Sequence, residues 1–167
     1  MNFDLTSEHA MIKRTIREFG EEEVAPGAIE RDKTKQFPTE IFKKLGELGM
    51  LGLPFPEEYG GAGADTVSFA IVTEELSKAC ASTGITYSAH ISLGGAPINL
   101  FGTEEQKQKY LAPICTGESL GAFGLTEPNA ARMQEVPRRR PKRLMGNTSS
   151  TAARILSRMQ AMPNISQ

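Results

Sequence analysis

Apolar residues recur three and four positions apart through most of the chain, and their rows break it into helical segments. Ile12, Ile16 and Phe19 form one stripe at helical spacing, behind Thr6 or Ser7 as a cap and Glu8 in the first turn. Pro26, after the acidic run Glu21-Glu22-Glu23, ends that helix nearby. A second helix is predicted from about Pro38, with Ile41, Leu45 and Leu48 as its stripe and Gly49 as its stop. The segment from Leu53 to Gly63 is dense in glycine and proline and reads as a loop. Asp65 then caps a third helix carrying Phe69, Val72 and Leu76. A fourth spans roughly 84–100 and is rich in small residues, among them Ser88, Ala89, Ser92, Gly94, Gly95 and Ala96. A fifth starts at Gly102-Thr103 with a capping box from Thr103 to Gln106, carries Tyr110, Leu111 and Ile114, and closes at Gly117. The stretch from Leu120 to Leu125 reads as a strand. The pattern predicts a mainly α chain: five helices, then the start of a β structure.

After Ala130 the pattern fails. Residues 1–130 hold 11 Lys and Arg against 19 Asp and Glu, a net of −8, and all 11 Phe and Tyr. Residues 131–167 hold 8 basic residues, one acid (Glu135) and no aromatic residue, a net of +7. The first part can bury a core; the second has little to bury, and the run from Arg138 to Arg143 with its prolines predicts disorder. Cys80 and Cys115 form no CxxC and are expected to be reduced thiols of an intracellular, cytoplasmic protein. His9 and His90 have no companions at metal-ligand spacing, so packed or surface roles are expected and no metal site. The glycines at 60, 61 and 63 lack the GxxxxGK or strand–GxGxxG–helix context of a phosphate cradle and read as a tight loop. No basic n-region leads an apolar run at the start, and no stretch approaches ~18 apolar residues, so no membrane span is expected.

Several segments, in order, resemble the acyl-CoA dehydrogenase family, in particular its bacterial short-chain, butyryl-CoA dehydrogenase-like members. They are Phe3-Asp4-Leu5-Thr6, Glu23-Val24-Ala25-Pro26, Leu48-Gly49-Met50-Leu51-Gly52, Pro56-Glu57-Glu58-Tyr59-Gly60-Gly61, Phe101-Gly102-Thr103-Glu104-Glu105-Gln106-Lys107 and Tyr110-Leu111-Ala112-Pro113. The most specific is Gly124-Leu125-Thr126-Glu127-Pro128-Asn129-Ala130. The resemblance implies an N-terminal helical domain over 1–117, the first strand and flavin-contacting segment of a middle β domain over 118–130, and an aberrant basic tail over 131–167. It implies α,β-dehydrogenation of an acyl-CoA thioester, with hydride passing to FAD and an electron-transfer flavoprotein as the onward partner. Family members form homotetramers. Phe123, Leu125 and Thr126 match the flavin-facing strand, whose backbone groups and hydroxyl suit the edge of the isoalloxazine. Thr86, Ala89 and Leu93, on one helical face, are expected to line the acyl tail, against the plainer reading of close helix packing through small residues. No catalytic residue is assigned, because the family's glutamate base lies in a C-terminal domain that this chain lacks.

Where the family continues with glycine, serine or threonine, and aspartate, this chain has Ala131, Arg132 and Met133. Loss of one G after Ala130 accounts for this. Restoring it forces alanine at the Met133–Gln134 junction, glycine at Met145–Gly146, and alanine at Met159–Gln160 and Met162–Pro163. Freer junctions permit the Asp-Gly and Asn-Gly-Ser-Lys turns that the family would show next. The expectation is an out-of-frame tail and a truncated, inactive fragment that does not retain FAD. Two alternatives stay open: an oxidase or monooxygenase relative on the same scaffold, and a helical interaction module whose basic arm binds acidic partners or nucleic acid. No specific nucleic-acid binding is expected.

Overall fold

The structure, a computed structural model, describes residues 4–124 and two short strands at 142–144 and 147–149. These fall in two units, one ending at Ala122 and one beginning at Phe123 and containing the strands. The first is helical: α1 (Ser7–Phe19), α2 (Ala28–Thr34), α3 (Thr39–Glu47), α4 (Thr66–Ala79), α5 (Ala81–Ala89), α6 (Ala96–Phe101), α7 (Glu104–Gln106) and α8 (Ala112–Thr116). The helical fold class expected from the sequence is present.

The caps form as the sequence predicts. The Thr6 hydroxyl accepts from the His9 amide at 3.1 Å, and His9 Nδ1 accepts from the Thr6 amide at 3.4 Å, a capping box with histidine in the place of glutamate. Asp65 Oδ1 accepts from the Ser68 amide at 2.8 Å and so caps α4. His9 Nε2 also meets Asp65 Oδ2 at 3.0 Å, tying the starts of α1 and α4 together. The Thr103–Gln106 capping box is present at the head of α7.

The core joins Ile12 and Ile16 of α1, Phe42 and Leu45 of α3, Val72 and Leu76 of α4, Tyr87 of α5, and Leu51, Leu111 and Ile114. Beside it, Glu75 of α4 is only 3% exposed. It accepts a two-pronged pair from Arg17 of α1 (Nε to Oε2 3.1 Å, Nη2 to Oε1 3.3 Å) and a third bond from Lys78 Nζ at 2.9 Å. The Arg17 pair, ahead of its other neighbours, holds this carboxyl below its ordinary range. A buried carboxylate is tolerated because its lone pairs are matched by cations with half their surface in water.

Two expectations change. Helix α2 was not foreseen, because none of its residues is buried; Ile29, its one large apolar side chain, is 75% exposed. It is bounded instead by left-handed residues, Gly27 (φ 77°) and Lys35 (φ 57°). Leu48 and Tyr110, expected in core stripes, are exposed. Leu48 lies past the end of α3, and Tyr110 lies in a π turn, Lys107–Leu111, where adjacent side chains diverge so that Leu111 takes the inward direction.

Residues 120–124 belong to neither helix nor strand. The strand expected over Leu120 to Leu125 has no partner among the described residues for this part, and Leu125 lies outside them. Within the segment expected to be disordered, β1 (Lys142–Leu144) and β2 (Asn147–Ser149) pair antiparallel, Arg143 opposite Thr148. The other residues of that expectation lie outside the described ones. Among the described residues no helix is long and apolar enough to cross a membrane.

Phe42 is fully buried and stacks on Phe37 with centroids 5.3 Å apart. Phe42→Ala should therefore cost about 3–5 kcal/mol in urea unfolding followed by circular dichroism. Ile29→Ala should stay within ~0.5 kcal/mol.

Candidate functional site

The long helical stretch from Ala81 to Phe101 is not uniform. Between α5 and α6 the residues His90–Gly95 form a π turn, and the Ala96 amide reaches back five residues to the Ile91 carbonyl. Such turns insert one extra residue into a helix and recur at functional sites. The insertion here lets the backbone of the helix meet another segment at close range. A Cβ on Gly94 would stand 2.6 Å from the backbone of Gly121, and one on Gly121 would stand 2.9 Å from Gly94. Only glycine at both positions allows that approach.

His90 holds the contact from within the same turn. It is 1% exposed, its Nε2 lies 3.2 Å from the Leu51 carbonyl, and its Nδ1 lies 3.0 Å from the Gly121 amide. A carbonyl only accepts and an amide only donates, so the ring is neutral with its proton on Nε2. Burial, the dominant cause, moves its pKa down to about 4. His90 is therefore a packed histidine with both nitrogens used, as expected, and it positions the backbone at Gly121.

The loop before α4 also packs on this helix. The Phe55 ring lies against Gly95, where a Cβ would come 2.4 Å from its Cζ. The loop doubles back on itself through Gly61, whose missing side chain leaves room for the Phe55 carbonyl. Tyr59 donates from its hydroxyl to Glu104, which raises the tyrosine's pKa, with Lys107 over the ring at 5.8 Å.

Of the acyl-lining candidates, Thr86 and Ala89 sit a turn apart in α5, both half-buried, and Leu93 lies in the π turn, exposed. The Thr86 hydroxyl donates to the Ser82 carbonyl at 2.8 Å, which leaves its methyl and the apolar Ala89 and Leu93 as the usable surface. Of the flavin candidates only Phe123 is described, with a side chain 51% exposed; Leu125 and Thr126 lie outside the described residues. The described residues alone do not assemble the donor set that a flavin needs. The sequence did not single out His90, Gly94 or Gly121 as partners. The glycines at 94 and 95 were visible, but nothing in the spacing links either to Gly121.

A separate cleft of about 380 Å³ lies among Arg17, Glu21, Ala25, Glu75, Lys78 and Ala79. Arg17, Lys78 and Glu75 there already satisfy one another, so the cleft belongs to the α1–α4 clamp. Among the described residues no group of three or more His, Cys, Asp or Glu could hold a metal ion.

The His90 geometry predicts a pH dependence. Unfolded, the imidazole takes a proton near 6.5; folded, only near 4. Between those values the unfolded chain binds more protons, so the stability His90 confers is full above about pH 6.5 and falls as the pH drops toward 4. The loss should reach up to about 3 kcal/mol. His90→Gln, which donates and accepts without titrating, should flatten that slope when urea midpoints are measured from pH 4 to 7.5.

Comparison with known proteins agrees with this architecture. The family model for the acyl-CoA dehydrogenase N-terminal domain matches residues 6–118. The short-chain specific acyl-CoA dehydrogenase of Clostridium acetobutylicum is 56% identical over 130 residues, 78% of this chain and 34% of the relative. The solved butyryl-CoA dehydrogenase of Megasphaera elsdenii superposes with a TM-score of 0.74 at 44% identity, covering 78% of this chain and 35% of that one. An acyl-CoA dehydrogenase from Bacillus anthracis solved in complex with FAD gives 0.71 at 45% identity, over 77% and 22% of the two chains. The chain spans about a third of the length of the curated relatives it matches. On the family model, these identities and the shared helical fold, the chain belongs to the acyl-CoA dehydrogenase family.

Proposed function

We propose that this chain is the leading helical domain of a short-chain, FAD-dependent acyl-CoA dehydrogenase, interrupted within the flavin-contacting segment. The observation that carries the reading is the π turn at His90–Gly95. It sets Gly94 and His90 against the backbone at Gly121, the segment that leads directly into the specific motif at Gly124–Ala130, while Thr86 and Ala89 lie a turn apart in α5 and Leu93 in the π turn itself. In this reading Ala89 and Leu93 border the acyl tail of a CoA thioester, and Phe123, Leu125 and Thr126 meet the flavin. FAD, when bound, supplies the hydride acceptor. An electron-transfer flavoprotein receives the electrons, and the complete protein is a cytoplasmic homotetramer.

The 131–167 segment is, in the same proposal, an out-of-frame translation. Support comes from the similarity itself: the relatives align over 130 of the 167 residues, and the four methionine-anchored junctions all restore small residues suited to the family's turns. A tail with a net charge of +7 and no aromatic residue does not complete a flavin pocket. As written, the chain holds no FAD and does not oxidise acyl-CoA.

The test has two arms. Purified 167-residue chain, mixed with FAD and butyryl-CoA, should show no co-eluting flavin absorbance and no enoyl-CoA formation; stoichiometric flavin with turnover overturns the interruption. Nucleotide sequence across codons 128–135 should restore the family motifs one base away, after which the corrected full-length enzyme should bind FAD. Absence of such a frame refutes the slip.

A further inference from the structure

Past α8 the chain is held at few points. The Ser119 amide donates to the Pro113 carbonyl at 2.9 Å, and Leu120 packs half-buried on the core. From Leu120 to Gly124, the one hydrogen bond among the described residues runs from the Gly121 amide to His90 Nδ1 at 3.0 Å. Ala122, Phe123 and Gly124 are exposed. Gly121 itself lies on Gly94 backbone to backbone, with no side chain on either part. Such a contact removes little apolar surface from water, so the bond to His90 is the main attachment of this segment.

The two bonds of His90 respond differently to a second proton. In the neutral ring Nε2 donates to the Leu51 carbonyl at 3.2 Å while Nδ1 accepts from Gly121. In the imidazolium both nitrogens donate. Nε2 keeps its carbonyl, and the positive charge strengthens that bond. Nδ1 then presents an N–H to the N–H of Gly121, and attraction becomes repulsion. One proton therefore breaks one bond and spares the other: the ring stays on the Leu51 turn while Gly121 loses its acceptor.

The elements around the ring bring no competing charge to it. Helix α6 and the Met50–Gly52 turn carry no titratable side chain. Tyr87 of α5 donates to the Met50 carbonyl at 3.1 Å, and Cys115 of α8 is buried; burial raises both, so both are neutral below pH 7. Tyr59 of the preceding loop is committed to Glu104, and Glu57, Glu58 and Glu118 are exposed. Burial is the largest influence on the ring and opposes its charge, with the carbonyls of Leu51 and Ile114 favouring it.

We propose that residues 120–124 form a strap latched by His90, which a second proton on the imidazole releases while the helical core stays folded. Gly124 ends the strap and opens the specific motif, so the latch governs the lead into that motif. Latched, the ring takes its proton only near pH 4; released into water it takes it nearer 6.5. Between those values the released state binds more protons. The latch is therefore fully closed above about pH 6.5 and opens as the pH falls toward 4, by up to about tenfold per pH unit and at most roughly 300-fold in all.

Amide hydrogen exchange of the isotope-labelled 167-residue chain, followed by NMR from pH 4 to 7, tests this when each rate is divided by its free-peptide value. Gly121 should lose protection as the pH falls, by up to about tenfold per unit, and stay less protected than Leu76 in the core throughout. Urea too dilute to unfold the chain should speed Leu76 and leave Gly121 unchanged, because release exposes little surface. Protection at Gly121 that ignores pH, or Gly121 and Leu76 responding alike to pH and urea, overturns the proposal. His90→Gln, which can donate to Leu51 and accept from Gly121 without titrating, should keep Gly121 protected into acid. If that variant folds by circular dichroism and retains the parent's slope, the assignment to His90 fails; if it does not fold, the parent's Gly121 profile alone decides.

Discussion

His90 can serve Leu51 and Gly121 together only while it carries a single proton, on Nε2. That requirement fixes three pieces of backbone that are distant in sequence: the turn around Leu51, the helix that bears His90, and the segment through Gly121. Burial keeps the ring neutral, and neutrality keeps both bonds, so packing and hydrogen bonding enforce each other. The π turn makes the arrangement possible. Its extra residue brings Gly94 to the same side as His90, where the absence of two side chains allows backbone to lie on backbone. A regular α-helix of the same length would carry Gly94 round to a different direction.

The second constraint is electrostatic and acts between α1 and α4. Glu75 is removed from water, but both oxygens are occupied by Arg17 and Lys78, whose own charges remain half in solvent. The desolvation cost falls mostly on one group, while three donors compensate it. The geometry has only one register, since the planar Arg17 fork must meet both carboxylate oxygens. This selects one way of laying α1 on α4, which greasy contacts among Ile12, Ile16, Val72 and Leu76 would specify less sharply. At its far end α4 hands the chain to Cys80, so the clamp also sets where α5 begins.

Much of this was legible in the chain. The Thr6, Asp65 and Thr103 caps follow from residue type and spacing, and the stripes of α1, α3 and α4 from apolar recurrence. What escaped has a physical reason in each case. Helix α2 buries nothing, so no periodicity marks it. The π turns change the number of residues per turn from 3.6, so a stripe extrapolated through them goes out of phase, and Tyr110 emerges where a core residue was expected. The site was legible in part: the small residues of α5 and the following turn were conspicuous, but their partners, Gly121, Phe55 and Ser77, are far along the chain. Long-range juxtaposition leaves no mark in local spacing. The resemblance, resting on whole motifs, was not limited in that way.

The structure also separates two explanations for that concentration of small residues. Gly84 is required by Ser77, Gly94 by Gly121 and Gly95 by Phe55, each at a distance that a Cβ would violate. These glycines serve packing and need no ligand to account for them. Ala89 and Leu93 are different. Neither is among the buried core residues, and Leu93 is half-exposed beside a turn whose backbone is otherwise fully committed. Leu93 is a single exposed leucine of the kind protein surfaces commonly carry. The acyl lining proposed above therefore involves Thr86, Ala89 and Leu93 rather than the glycines, whose close contacts are accounted for by packing alone.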